Sequence, residues 1–218
     1  MTGEEFCQEL EKTVYESLER IAGASAANEP ASDVTIAAML VGALKNEIEA
    51  SEEAALWMIT APELDVKVAL ACQCGDDARH YRLIEDWLRR MGHDLSTVDP
   101  LADGYTPMFK FLESLETTVE RLAAGQFTRE GLAKARNQVF IEYCKAKGDM
   151  ETAKLYEDTI QPDENYHHEL GRRLLPKYAD TPEKQELARQ AAVKTLNLAE
   201  ELQEIAHLRR GMSKAPGC

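Results

Sequence analysis

Two short stretches carry the chemistry this sequence offers most directly. Asp77-Ala78-Arg79-His80 and Glu164-Asn165-Tyr166-His167 each set a carboxylate three residues before an imidazole. On a helix that spacing stacks both side chains one turn apart on a single face. Carboxylates and imidazoles together suit iron or manganese, and no thiolate is needed. One such match is common by chance in an acidic helix. Two of them, with Glu47 on a preceding segment, make a set able to surround two metal ions. The bland alternative is a hydrogen-bonded network of core acids and histidines.

The elements that must position these residues read as helices. Apolar stripes recur at a period of 3.6 and strand signals are nearly absent, so the fold class is all-α. A helix from about Leu64 to Met91 has the inward seam Val66, Leu70, Gln73, Asp77, His80, Ile84, Trp87, Met91. The helix before it, from Ser32 or Asp33 to about Thr60, has the seam Ile36, Leu40, Ala43, Glu47, Ala50, Ala54, Trp57. A helix capped by Asp149 and running to about Tyr178 has Ala153, Glu157, Ile160, Glu164, His167, Gly171, Leu174. An isolated buried carboxylate costs several kcal/mol unless it is paired or bound to a metal. Three helices each carry acids in mid-seam. Glu47 and Asp77 are also equidistant from the Pro62 corner, so at about 1.5 Å per residue both lie about 22 Å from it, side by side.

The rest of the chain frames this core. A capping box of Thr2 and Glu5 starts a first helix with the stripe Phe6, Leu10, Val14, Leu18, Ile21, and Gly23 is expected to end it. The stretch 92–106 reads as a crossover along the bundle. Two further segments, 107–124 and 128–147, are separated by Gly125, or form one kinked helix. Thr181 and Pro182 start the last helix, whose expected stripe is Leu187, Ala191, Thr195, Leu198, Leu202, Ile205. The tail 213–218 is expected to be loose. Glu49, Glu52, Glu53, Glu113, Glu116 and Glu120 read as solvated, as do His93, His168 and His207. Asp163 competes with Glu164 for the inward position. Gly75 and Pro162, each just before a pair, read as a mild kink or as a bulge that re-aims ligands.

Composition narrows the function classes. The chain has 218 residues, 25 basic against 39 acidic, and a formal charge of −14. That balance repels phosphate backbones and anionic lipid surfaces, so neither nucleic acid nor membrane is an expected partner. No apolar run approaches the roughly 20 residues needed to cross a bilayer. The five cysteines include no paired CxxC motifs and read as reduced thiols. With no basic-then-apolar leader at Met-Thr-Gly-Glu-Glu, the expected location is cytoplasmic. One domain is expected over 1–218, with a core at about 32–178 and flanking helices at about 3–22 and 182–212.

Over about Ser32 to Tyr178 the chain resembles the ferritin-like superfamily of di-metal carboxylate proteins. Rubrerythrins, bacterioferritins, aldehyde-deformylating oxygenases and ferritin-like tRNA hydroxylases belong to it. The resemblance rests on Glu47, on Asp77 with His80, on Glu164 with His167, and on Gly148-Asp149-Met150-Glu151-Thr152-Ala153 leading into the last core helix. It implies a four-helix bundle, here with extra N- and C-terminal helices, and a fourth carboxylate from the third core helix. Mirroring Glu164 across Gly148 lands near Ala133 to Ala135, where Lys134 stands. Glu130, one turn away, is the candidate ligand. If it faces outward, five ligands remain and the site is mononuclear, altered or empty, and a Lys134 ammonium in the cluster would argue for a metal-free relic.

The implied cofactors are two iron ions, or iron with manganese. Glu47 and Glu164 bridge or chelate, Asp77 is terminal, and His80 and His167 give one nitrogen to each metal. The implied activity is oxidase or oxygenase chemistry with O2 or peroxide on a small or acyl substrate, fed by an external electron donor. The alternatives are iron and peroxide handling of the rubrerythrin or bacterioferritin type, and a metal-free helical scaffold. A homodimer is the expected assembly.

Overall fold

Side-chain oxygens open most of the helices of the computed structural model, which describes residues 1–217. Thr2 accepts from the Glu5 N–H while the Glu5 carboxylate accepts from the Thr2 N–H, and α1 (Gly3–Ala27) follows. Gly23 does not stop α1. A methyl there would meet open space, and the Ala- and Ser-rich turn after it tolerates one glycine. Thr35, not Ser32 or Asp33, caps α2 (Ile36–Thr60). The corner at Pro62 leads into α3 (Leu64–Arg90). Among the described residues there are no strands.

The second half departs more from its sequence pattern. The break falls at Ser114 to Thr117, between α4 (Pro107–Glu113) and α5 (Thr118–Leu122), not at Gly125. From Thr118 the chain is helical to Ala146, through a π-helical turn (Ala123–Arg129) and α6 (Glu130–Ala146). Asp149 caps α7 (Met150–Leu155), accepting from the Thr152 N–H at 3.0 Å. A second π turn (Tyr156–Ile160) joins it to α8 (Gln161–Tyr178). Pro162 follows this widened turn. It has no N–H for the carbonyl four residues back, and a wider turn relieves its ring against that carbonyl. Thr181 and Pro182 start α9 (Pro182–Arg210), as the sequence predicts. Its buried face is Ala188, Ala191, Ala192, Thr195, Leu196 and Ala199, while Leu187 and Ile205 are exposed. Small residues are what its close approach to the first π turn admits.

Two apolar layers give the topology. One contains the ends of α2 and α8 with the starts of α3 and α5, and α1 and α9 pack on it. The other contains the start of α2, the end of α3, the end of α6, α7 and the second π turn. So α2 and the rod 150–178 run one way, and α3 and the rod 118–146 run the other. The connection after α3 must therefore travel the length of the bundle, which accounts for the long stretch from 91 to 106. Between the apolar layers lies a polar one, containing Glu47, Gln73, Asp77, His80, Glu130, Glu164 and His167, all buried.

No helix among the described residues is long and apolar enough to cross a membrane. Cys7, Cys72, Cys74 and Cys144 are unpaired. The segment after α9 is not loose. Ser213, Lys214, Pro216 and Gly217 are buried against the bundle, while Cys218 lies outside the described residues.

Candidate metal centre

All six side chains singled out from the sequence meet in the polar layer. Glu47 comes from α2, Asp77 and His80 from α3, Glu130 from the first turn of α6, and Glu164 and His167 from α8. They form two overlapping groups: Glu47, Asp77, His80 and Glu164; and Glu130, Glu164 and His167. Within each group the candidate ligand atoms lie within 4.8 Å of one another, and every member is buried. Glu164 belongs to both.

The two imidazoles are arranged alike. His80 Nδ1 faces inward, 3.3 Å from Glu47 Oε2, 3.7 Å from Glu164 Oε1 and 3.9 Å from Asp77 Oδ1. His167 Nδ1 also faces inward, 3.6 Å from Glu130 Oε2 and 3.9 Å from Asp77 Oδ1. Asp77 is thus near both histidines and central, whereas the sequence reading made it terminal; Glu47 stands to one side with His80, as Glu130 does with His167. The outer nitrogens are held across the bundle. His80 Nε2 donates to Asp163 at 2.9 Å, and His167 Nε2 donates to Asp76 at 3.2 Å. With a metal bound, an acceptor on Nε2 would keep the remaining proton outside and leave the Nδ1 lone pair inward, the tautomer a metal requires.

Sequence reasoning missed this outer pair. Asp163 was set against Glu164 as a rival for one position, yet both are used. Asp76 and Asp163 each immediately precede a ligand carboxylate, so the repeated unit is Asp-[Asp/Glu]-x-x-His on both helices. Arg79 donates to both outer aspartates, at 2.5 Å to Asp163 and 3.4 Å to Asp76.

Lys134 does not enter the cluster; its carbonyl accepts from Gln161 Nε2 at 2.9 Å. The buried cation is Arg129, on the first π turn, with Nη1 3.7 Å from Glu53 and 3.8 Å from Glu130. Glu49 and Glu53 are buried, contrary to the solvated reading. Glu49 accepts from the Thr106 N–H at 2.8 Å and so ties the end of the crossover to α2. Glu130 is further held by Gln73 Nε2 at 2.8 Å, and Gln73 Oε1 accepts from Gln126 Nε2 at 2.7 Å. Tyr156, at the start of the second π turn, takes the inward place expected for Glu157; Glu157 is exposed and pairs with Lys145 at 3.0 Å. His168 is half-buried against Phe127 and outside the cluster.

Crowding of acids shows in their proton affinities. Burial, then the Glu130 carboxylate, holds Asp77 and Glu164 well above the usual carboxylate range. Burial opposes ionisation of Glu130 too, but His167, Glu164 and Arg129 hold it down to about 2. Burial disfavours the His167 imidazolium, yet Glu130, Asp77 and Asp76 raise it to about 9. Burial lifts Glu53 to about 7 despite Arg129.

The residues fit a metal on two independent observations. His167 Nδ1 and Asp77 Oδ2 are buried with no hydrogen-bond partner, and such atoms are costly unless something binds them. A cavity of about 20 Å³ remains among Glu47, Asp77, Glu130 and Glu164, the size of a water or an ion rather than of an organic molecule. Four carboxylates also balance the charge of two divalent cations. No family model, curated protein or solved structure matches the chain.

Proposed function

We propose that the chain is a ferritin-like di-metal carboxylate protein. In this reading it holds two iron ions, or iron with manganese, and oxidises or oxygenates a small or acyl substrate with O2 or peroxide. The observation that carries the reading is the convergence of the inner nitrogens of His80 and His167 with four buried carboxylates, in two groups whose candidate ligand atoms lie within 4.8 Å of one another. The helix directions, with one long crossover, agree with it.

The roles follow from position. Glu47 and His80 would hold one ion, Glu130 and His167 the other, with Asp77 and Glu164 between them. Asp163 and Asp76 fix the imidazole tautomers. The apolar layers on either side keep water from the cluster. Bound there, an iron pair supplies the electrons for reducing O2 or peroxide. The chain has no paired CxxC motifs, so the reading calls for an external electron donor.

Arg129 favours a second reading, a metal-free network in which its guanidinium offsets part of the acid charge. Anaerobic titration with Fe(II) or Co(II), followed by metal analysis, separates the two. Binding near two ions per chain in the wild type, abolished in Glu164→Ala and His167→Ala and retained in Glu116→Ala, is expected. Equal uptake in all three variants rejects the site, and no uptake by the wild type leaves the network. Loading must displace protons from Asp77, Glu164 and His167, so apparent affinity should rise with pH until His167 loses its proton at about 9.

A further inference from the structure

The cavity among the ligands has one wall that no bundle helix supplies. Asn46, Glu47 and Ala50 come from α2, Asp77 from α3, Arg129 from the π turn, Glu130 and Ala133 from α6, and Glu164 from α8; Gly217 closes the remainder. Its N–H donates to buried Asn137 Oδ1 at 2.8 Å, on the same stripe of α6 as Glu130. Asn46, the neighbour of Glu47, donates to the Pro216 carbonyl at 3.2 Å. The chain after α9 therefore bridges α2 and α6 directly over the candidate ligands.

We propose that residues 213–217 are a removable plug over this centre and that Lys214 is its latch, so that release of the latch governs access to the cavity. The proposal rests on the metal reading for its purpose, but its geometry does not. Gly211, at φ +62°, turns the chain back from α9. Ser25 then donates to the Ser213 carbonyl, and Lys214 Nζ donates to the Ala26 carbonyl at 2.6 Å and meets Glu29 at 3.3 Å. These contacts are polar, as are those of Ser213 Oγ with His207 Nδ1 at 2.7 Å and of the Gly217 carbonyl, which accepts from Arg136 at 3.5 Å. The segment Ser213-Lys214-Ala215-Pro216-Gly217 has no large apolar side chain to anchor it in the core. Lys214 also stands in the wall of a cavity of about 400 Å³, shared with Ala26, Glu29, Tyr143 and Lys147, so its ammonium has room to leave the carbonyl without disturbing packed neighbours.

Gly217 is specific to the seat. It has φ +75°, and a methyl on it would stand 3.0 Å from Asn46 Nδ2. In place, the segment leaves only the small cavity, and a ligand larger than water requires it to retreat.

The test is carboxyl footprinting of the full chain with a carbodiimide and glycine ethyl ester, read at Glu47 and Glu130 by mass spectrometry. Lys214→Ala should raise labelling of both roughly fivefold or more, as expected when a local opening is destabilised in its closed form. Buried Glu49, whose carboxylate is held by Thr106 and not by the segment, should be unchanged, and so should every site in Lys147→Ala, which removes a lysine from the same cavity but no bond to the segment. The rate of Co(II) uptake should rise in parallel at unchanged stoichiometry. Labelling at the wild-type level overturns the plug. If Lys214→Ala unfolds, Ser25→Ala carries the same expectation and the same refutation. Increased labelling without any Co(II) binding upholds the plug and removes the metal reading; Co(II) binding with unaltered labelling and rate does the reverse.

Discussion

The two helical pairs that face each other across the candidate centre deliver matching ligand sets on different backbones. The hairpin α2–α3 is α-helical throughout, and its inward residues recur at intervals of three and four from Leu40 to Trp57 and from Val66 to Ile84. The opposing rods, 118–146 and 150–178, each contain a π turn. A π turn places one extra residue in a helical turn, so every side chain beyond it is rotated relative to those before it. The regular pair therefore places Glu47, Asp77 and His80 by spacing alone. The other pair places Glu130, Glu164 and His167 on helices that each contain a widened turn.

The sharpest way to break that comparison is to add a residue. Inserting an alanine beside exposed Asp158 supplies one more than the π turn already holds, and each helical residue advances by about 100°. Thr152 and Ala153 on one side of the turn, and Glu164 and His167 on the other, can then no longer all face inward. Metal uptake should be abolished while circular dichroism keeps its helical signal. Wild-type uptake in the insertion variant would make the register of this rod incidental.

Gly171 carries the next largest effect. A methyl there would lie 2.6 Å from the Phe127 nitrogen and 2.7 Å from the Gln126 carbonyl carbon, both backbone atoms of the first π turn. Backbone cannot yield as a side-chain tip can, so Gly171→Ala should lose about 3 kcal/mol in denaturant unfolding. It should also weaken metal binding, because His167 lies one turn earlier on the same face. A loss below about 1 kcal/mol would mean that α8 and the π turn are not in fixed contact.

This contrast also explains what was legible in the residues and what was not. The hairpin seams read correctly because both apolar layers and the polar layer between them fall on one 3.6-residue period. Mirroring Glu164 across Gly148 pointed to Lys134 because the construction assumes a constant rise and rotation, which the π turns violate. Glu130 was recoverable from its own stripe with Ala133, Asn137, Phe140 and Cys144, all of them buried. Buried Glu53 and Arg129 were not recoverable, since their burial depends on the rod 118–146 crossing α2, a tertiary event without local signature. The outer aspartates were in plain view as a repeated residue before each pair, but only the crossing of α3 by α8 reveals that each serves the other helix's histidine.

That crossing gives a prediction of smaller size. Asp163→Asn loosens His80 and Asp76→Asn loosens His167, and loss of such a partner typically costs about 10- to 100-fold in metal affinity. The two variants should fall within a factor of about ten of each other, with stoichiometry kept, when titrated with Co(II). A large effect from one and none from the other would show that the regular and irregular pairs bind their ions on unequal terms.

Gly75 provides the smallest effect and the cleanest separation of the two halves. Like Gly171 it lies inside a long helix close to ligands, two residues before Asp77, and from sequence it was a candidate for a bulge that re-aims them. Yet α3 runs through it without a change of register, and a methyl there would meet nothing within 4 Å. No close approach requires glycine, and its backbone is helical, so alanine should fit without strain. Alanine restricts the unfolded chain and favours the helix by about 1 kcal/mol. Gly75→Ala should therefore raise stability by about that amount and leave Co(II) affinity where it was. If affinity falls while stability rises, α3 needs local freedom at Gly75 to seat Asp77 and His80, and the regular pair is no more self-sufficient than its partner.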